Sequence, residues 1–246
     1  GDDLKHIDWR VYGRTGRYYM KLYEAETNFT AHLLFDVSAS MRVKSGEHSK
    51  LDYAKYMAAS LAYLIAEQRD TVGLAAFDAE LRGYIRPSSA RSIVQHIATE
   101  LEQMDGEPRT NVGAILKQFA QRIERRGFVM LFTDLLEDVD EFVTGLDQLR
   151  YAGHNVTVFQ VLDPVELDFP FDGSMKFIGL EEDGEIITQP KRIRAAYLEA
   201  LGQLLQRVRT ACERVHADYV LVDTSRPVAE VISRYLLQRQ RIGAVS

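Results

Sequence analysis

The strongest constraint on the fold is a regular alternation of short apolar runs with longer amphipathic segments. Residues 31–37 and 128–134 are largely apolar and predict buried strands, and residues 155–163 predict a further strand. Apolar residues recur at helical spacing in 49–69 and 193–215. Parallel strands need helix-length connections between them. The alternation therefore predicts a doubly wound α/β fold, in which helices cover both faces of a mainly parallel sheet.

The remaining segments extend this pattern. Residues 71–77 and 81–87 predict two strands joined by a tight turn, and Ser88 or Ser89 would cap a helix that runs to about Met104. The other predicted elements are, in chain order, helices at 111–125 and about 138–152, a strand at 218–223 and a helix from Pro227 to about Arg239.

We expect one main domain with a lead-in and one insertion. Residues 1–30 form the lead-in, with an edge strand at 19–25, and residues 31–246 form the α/β domain. An insertion at about 164–190 breaks the alternation. It predicts a small β-hairpin that turns at Asp183 and Gly184.

Composition and charge exclude several function classes. The 246 residues carry a net charge of −6, which gives no general attraction for nucleic acid. No stretch reaches the roughly 18 consecutive apolar residues of a membrane span, and the single cysteine, Cys212, fits a reducing compartment. We therefore expect a cytoplasmic location. Because the sequence starts at Gly1, membrane association through a missing upstream segment stays open.

Small oxygen-bearing side chains follow two of the predicted buried strands. Asp36, Ser38 and Ser40 come directly after the strand at 31–37, and Asp134 ends the strand at 128–134. In a doubly wound sheet the carboxyl ends of the strands meet at one edge, where ligands bind. Thr110, in a loop before a helix, would reach the same edge. This set of hard oxygen donors matches Mg²⁺, with Mn²⁺ or Ca²⁺ as further candidates.

Each part of this set also has a simpler interpretation. An aspartate after a strand, followed by serine, often only caps the next turn or helix, and the stretch DVSAS at 36–40 alone favours that capping role. The combination with Thr110 and Asp134 favours a metal site, because three independent caps would have to coincide at one sheet edge.

These residues resemble the metal-ion-dependent adhesion site of von Willebrand factor A domains, whose pattern is Asp-x-Ser-x-Ser, a threonine and an aspartate. The resemblance implies that Ser38, Ser40 and in some states Thr110 touch the cation, while Asp36 and Asp134 act largely through water. An acidic group of a binding partner then completes the coordination shell.

The N-terminal stretch GDDLKHIDWRVYGRTGRYYMKLYEAE and the later YLLQR resemble the bacterial "domain of unknown function 58" family, although residues 14–17 depart from its usual Ser-Ala-Arg-like run. This resemblance implies a von Willebrand A-like domain associated with MoxR-type AAA+ ATPases. We therefore expect a non-catalytic interaction module, an adaptor for such an ATPase or its client, that grips a partner's carboxylate through Mg²⁺.

Two alternatives stay open at this stage. A Mg²⁺-dependent phosphohydrolase would use Asp36 as its nucleophile, but it needs an aspartate acid/base where Ser38 stands, and a hydroxyl cannot supply that poised proton. The other alternative is a scaffold whose metal site is vestigial.

Overall fold

The structure is a computed structural model that describes six segments of the chain. Residues 1–28, which hold most of the N-terminal lead-in and its predicted edge strand at 19–25, lie outside the described residues, as does the predicted turn at 183–184. The described residues are 29–104, 110–123, 125–136, 139–172, 175–178 and 185–243.

A six-stranded sheet forms the centre of the described chain. Its order is β3-β2-β1-β4-β5-β8. Only β3 runs antiparallel to its neighbour β2; the other pairs are parallel. The strands of this sheet are β1 (Thr30–Asp36), β2 (Thr71–Phe77), β3 (Leu81–Ser88), β4 (Phe128–Thr133), β5 (Asn155–Leu162) and β8 (Asp218–Asp223).

Helices connect the parallel strands, as the length of each crossover requires. None of the described helices is long and apolar enough to cross a lipid bilayer. Their bounds are α1 (Lys50–Glu67), α2 (Ser92–Gln103), α3 (Val112–Arg122), α4 (Val139–Tyr151), α5 (Pro164–Asp168), α6 (Pro190–Arg214) and α7 (Val228–Gly243), with a short 3-10 helix at Ala39–Arg42.

Two hydrophobic clusters lie on opposite faces of the sheet. Leu33 and Phe35 of β1 point into the cluster that includes α1, α2 and α7, whereas Leu34 points into the cluster that includes α3, α4 and α6. Successive side chains of a strand face opposite sides, so a strand buried on both faces is apolar at most of its positions. The three-layer architecture therefore confirms the predicted doubly wound α/β fold.

The small hairpin insertion is also present. Strands β6 (Met175–Ile178) and β7 (Glu185–Thr188) pair antiparallel in a separate two-stranded sheet. One predicted detail was wrong, because α2 begins at Ser92 and neither Ser88 nor Ser89 caps it. The Ser88 hydroxyl instead accepts a hydrogen bond from the Ala90 N–H, at 3.1 Å, within the turn before the helix.

The order of the strands reverses direction between β1 and β4. From β1 the chain continues through β2 and β3 toward one side of the sheet, and then returns to place β4 on the other side of β1. The connections that leave two strands on either side of such a reversal go to opposite faces of the sheet and leave a crevice, which is where open α/β sheets bind ligands. Asp36 ends β1 and Asp134 directly follows β4, so both lie at this crevice.

Candidate functional site

Two buried carboxylates and two serine hydroxyls meet at the crevice. Asp36 and Ser38 are fully buried and Asp134 is 1% exposed. The hydroxyls of Ser38 and Ser40 lie 3.1 Å apart and share a hydrogen bond that either can donate. Ser38 lies directly before the 3-10 helix that follows β1, and Ser40 lies within that helix.

Asp36 is held rigidly by bonds to two separate segments. One of its oxygens accepts the backbone N–H of Ser38 at 2.9 Å, and the other accepts the hydroxyl of Thr133 at 2.7 Å. The Thr133 hydroxyl in turn accepts the backbone N–H of Leu135. Because Thr133 is the last residue of β4, these bonds tie the ends of the two central strands together.

The position of Asp134 is set by the backbone around it. Leu135 has a φ of 48°, in the left-handed region that bulky side chains rarely adopt. The carbonyl of Asp134 accepts a hydrogen bond from the buried amide of Gln160, which is itself bonded to the Tyr219 hydroxyl. Strained residues that the surroundings hold in place cluster at functional sites. The left-handed backbone at Leu135 and the hydrogen bond from Gln160 therefore fix the position from which the Asp134 side chain projects.

The carboxylate of Asp134 accepts a hydrogen bond from a lysine that sequence reasoning missed. Lys50, the first residue of α1, is fully buried, and its ammonium lies 2.8 Å from Asp134 Oδ2 and 2.6 Å from Glu166 Oε1. Burial disfavours the charged ammonium, but the two carboxylates outweigh it and raise the pKa of Lys50 above its usual value. Lys50 is thus a permanent positive charge at the crevice.

Asp36, by contrast, has no cationic partner in the part of the chain that the structure describes. Across the described residues no lysine, arginine or histidine forms an ion pair with it. Burial and, second, the nearby charge of Asp134 raise the pKa of the Asp36 carboxyl to about 7, against the weaker effect of its hydrogen bonds. The excess of acidic groups at the crevice comes from Asp134 and Glu166, two carboxylates that share the single ammonium of Lys50.

Thr110 reaches the same sheet edge by a different route. It is half-buried, and its hydroxyl donates to the backbone carbonyl of Asp78 at a long 3.4 Å. Asp78 follows Phe77, which pairs with Asp36 in the register of β1 and β2. The structure thus places Thr110 beside the end of β2, the neighbour of β1 in the sheet, with its hydroxyl bonded to Asp78.

The simpler capping interpretation can be compared with these contacts. Ser38 occupies the position before the 3-10 helix, but its side chain makes no capping bond. Asn111, not Thr110, caps α3 by accepting the Ala114 N–H. Asp134 accepts the Lys50 ammonium. Among the hydrogen bonds of the described residues, only Asp36 of the candidate donors accepts a local backbone N–H, so these contacts do not make the set a group of caps.

The donors also have the chemistry and spacing that a hard cation requires. Octahedral Mg²⁺ binds oxygens at about 2.1 Å, which separates neighbouring ligands by about 3.0 Å. The Ser38 and Ser40 hydroxyls, 3.1 Å apart, match such a neighbouring pair. No group of three or more histidine, cysteine, aspartate or glutamate side chains suited to a metal occurs in the part of the chain that the structure describes. Any ion here would depend on the hydroxyls.

Comparison with known proteins places the chain in a family. The sequence model of a family described as "Protein of unknown function DUF58" matches residues 1–206. The chain belongs to the DUF58 family. Among its relatives is the uncharacterized protein Rv1480 of Mycobacterium tuberculosis, strain H37Rv, which is 25% identical over 181 residues. That alignment covers 71% of the DUF58 chain, which spans 56% of the length of the relative.

Solved structures share the fold of this DUF58 chain. BatB of Bacteroides thetaiotaomicron superposes with a TM-score of 0.59 at 18% identity, over 87% of this chain and 99% of BatB. An aerotolerance-related membrane protein of Bacteroides fragilis NCTC 9343 gives 0.57 at 19% identity, covering 83% and 96% of the two chains. The SpRpn10 VWA domain gives 0.51 at 10% identity, covering 84% and 94%. The DUF58 chain therefore has a von Willebrand A-like fold, which confirms the resemblance seen in the sequence.

Proposed function

We propose that this chain is a non-catalytic interaction module that binds Mg²⁺ at the crevice between β1 and β4 and uses the ion to grip an acidic group of a partner protein. The observation that carries the proposal is the pairing of the Ser38 and Ser40 hydroxyls, 3.1 Å apart, beside two buried carboxylates. Mn²⁺ and Ca²⁺, which also prefer oxygen ligands, are alternative occupants.

The charge of these ligands supports a role in binding an acid. Ser38, Ser40 and Thr110 are neutral donors, so they leave an ion coordinated by them strongly positive. A carboxylate from another protein is then a favourable final ligand. The resemblance to von Willebrand A adhesion sites supports the same roles. A MoxR-type AAA+ ATPase, or its client, is the partner we propose on the family resemblance.

The contacts of Asp36 argue against the phosphohydrolase alternative. A nucleophilic carboxylate must present an oxygen to the substrate phosphorus. Asp36 is fully buried, and each of its oxygens already accepts a hydrogen bond, from Ser38 N–H and from the Thr133 hydroxyl. Ser38 also lacks the acidity of a proton donor. We therefore retain only the interaction role and the metal-free scaffold as competing functions.

Calorimetric titration with Mg²⁺ separates these two. We expect the Ser38→Ala, Ser40→Ala double variant to bind Mg²⁺ about tenfold or more weakly than the wild type, because both hydroxyl ligands are lost. Ser89→Ala, which removes an exposed hydroxyl outside the crevice, is the matched control and should bind as the wild type does.

A pull-down from the native cell then tests the partner. Proteins retained in Mg²⁺ should be released by chelator, and the double variant should not retain them. Equal Mg²⁺ affinity in the wild type and the double variant would contradict the proposal and leave the scaffold role.

A further inference from the structure

Lys50 occupies a position that neither its helix nor the solvent favours. As the first residue of α1 it brings a positive charge to the positive end of the helix dipole, where acidic side chains are preferred. Its side chain is also fully buried, and an ammonium in that setting needs close anionic partners. The contacts to Asp134 and Glu166, at 2.8 and 2.6 Å, supply them.

Glu166 is part of a rigid framework. Its second oxygen accepts the backbone N–H of Asp163 at 2.8 Å, forming the capping box of α5. Asp163 is buried, and its carboxylate also accepts the N–H of Ser45, in the loop before α1. The ammonium of Lys50 therefore sits in a prepared site that joins the end of β4, the start of α1 and the segment after β5.

We propose that Lys50 is an internal cation that competes with the divalent ion for Asp134 and thereby sets how tightly this module binds metal. This inference rests on the proposed function, since it concerns the same crevice. While the ammonium holds Asp134 Oδ2, it neutralises part of the charge that an incoming ion would use, and it repels that ion directly. The ion alone should then bind weakly.

The competition has a consequence for partner binding. Lys50 neutralises part of the negative charge at the crevice, and a partner's carboxylate adds negative charge there. The ion and the acidic group should therefore strengthen each other's binding. An interaction of this kind would form only when both are present. Lys50 would then prevent the module from holding an ion permanently in the absence of a partner.

Replacement of the lysine tests the proposal directly. We expect Lys50→Met, which keeps the length of the side chain without its charge, to bind Mg²⁺ and Mn²⁺ about tenfold or more tightly than the wild type in calorimetric titration. Lys44→Met is the matched control, because it removes the same charge from an exposed position in the loop before α1, and its affinity should stay close to that of the wild type. Ser38→Ala added to Lys50→Met should remove the gain.

The outcomes separate this inference from the function on which it rests. If Lys50→Met is folded by circular dichroism and binds the ions no more tightly than the wild type, Lys50 is not a competitor, although a loss in Ser38→Ala would still support the metal site. If Ser38→Ala leaves the ion affinity unchanged both in the wild type and in Lys50→Met, the metal site itself is refuted.

A second variant covers the case in which Lys50→Met does not fold. Glu166→Gln leaves Asp134 as the only carboxylate bonded to the ammonium, so the lysine should hold Asp134 more firmly and ion affinity should fall by about threefold or more. Asp168→Asn removes the same charge from an exposed position on α5 and should have a smaller effect. Unchanged or tighter ion binding in Glu166→Gln, or an equal effect of the two variants, would overturn the proposal.

Discussion

A buried histidine on β1 should make its own contribution to stability fall in mild acid. His32 is 3% exposed, its Nδ1 has no hydrogen-bond partner within the described part of the chain, and its ring packs edge-on against Phe119. Burial, and second the charge of His154, lower the pKa of His32 from 6.5 to about 4. The folded protein therefore keeps this ring neutral where the unfolded chain protonates it.

The sign and size of the effect follow from proton linkage. Stability from the neutral ring is fully present above the unfolded pKa of 6.5 and is lost as the pH falls toward the folded value of about 4. Between those values position 32 binds more protons in the unfolded state than in the folded state, so its contribution to the free energy of unfolding decreases with acidification. With these two pKa values, His32 should cost the fold about 2 kcal/mol at about pH 5, relative to about pH 7.5.

Urea unfolding of the wild type and of His32→Leu at both pH values measures this difference. The variant cannot be protonated at position 32, so its stability should decline by about 2 kcal/mol less than that of the wild type. Asp36 and His154 are present in both proteins, so their own titration largely cancels in the comparison. His96→Leu removes an exposed histidine and should retain the wild-type profile. Parallel stability curves for wild type and His32→Leu would refute the reasoning.

Two further perturbations test the packing. Gly113→Ala should destabilise the protein in urea unfolding by about 1–3 kcal/mol, because a Cβ there would lie 2.5 Å from the backbone of Glu141 on α4. Gly202→Ala, at an exposed and open site on α6, should stabilise it by about 0.5–1 kcal/mol. Similar effects of the two substitutions would show that α3 and α4 can move apart at little energetic cost. Cys212 is fully buried, and burial with the nearby acidic groups raises the pKa of its thiol to about 12. A disulfide reagent should therefore label the native protein slowly and the urea-unfolded chain rapidly. Fast labelling of the native protein would contradict this prediction.

The sequence pattern could predict the elements of the fold because burial leaves a strong periodic signal. Apolar residues predominate in β1, β4 and β5, and the structure has these strands within a residue of the predicted bounds. The pattern does not encode which strands are neighbours. The same apolar residues would bury β4 equally well whether it paired with β1, with β5 or with both. The order reversal between β1 and β4 therefore became known only from the structure.

The donors of the candidate site were predictable because they follow apolar strands at short range, but their partners were not. Lys50 resembles an ordinary helical surface lysine, and its burial depends on Glu166, which is 116 residues away in the sequence. Two signals were nevertheless present. A lysine in the first turn of a helix opposes the dipole, and Asp163 with Glu166 has the spacing of a capping box, which predicts the helix that positions the carboxylate.

The pairing of β1 with β4 also bears on how the protein folds. The hydrogen bond between Thr133 and Asp36 joins residues 97 positions apart, so the chain must close a long loop before the crevice exists. Contacts of such long range form slowly, and partly folded chains lack them. A ligand of the crevice would therefore slow unfolding rather than speed folding, wherever the transition state has not yet joined the two strands.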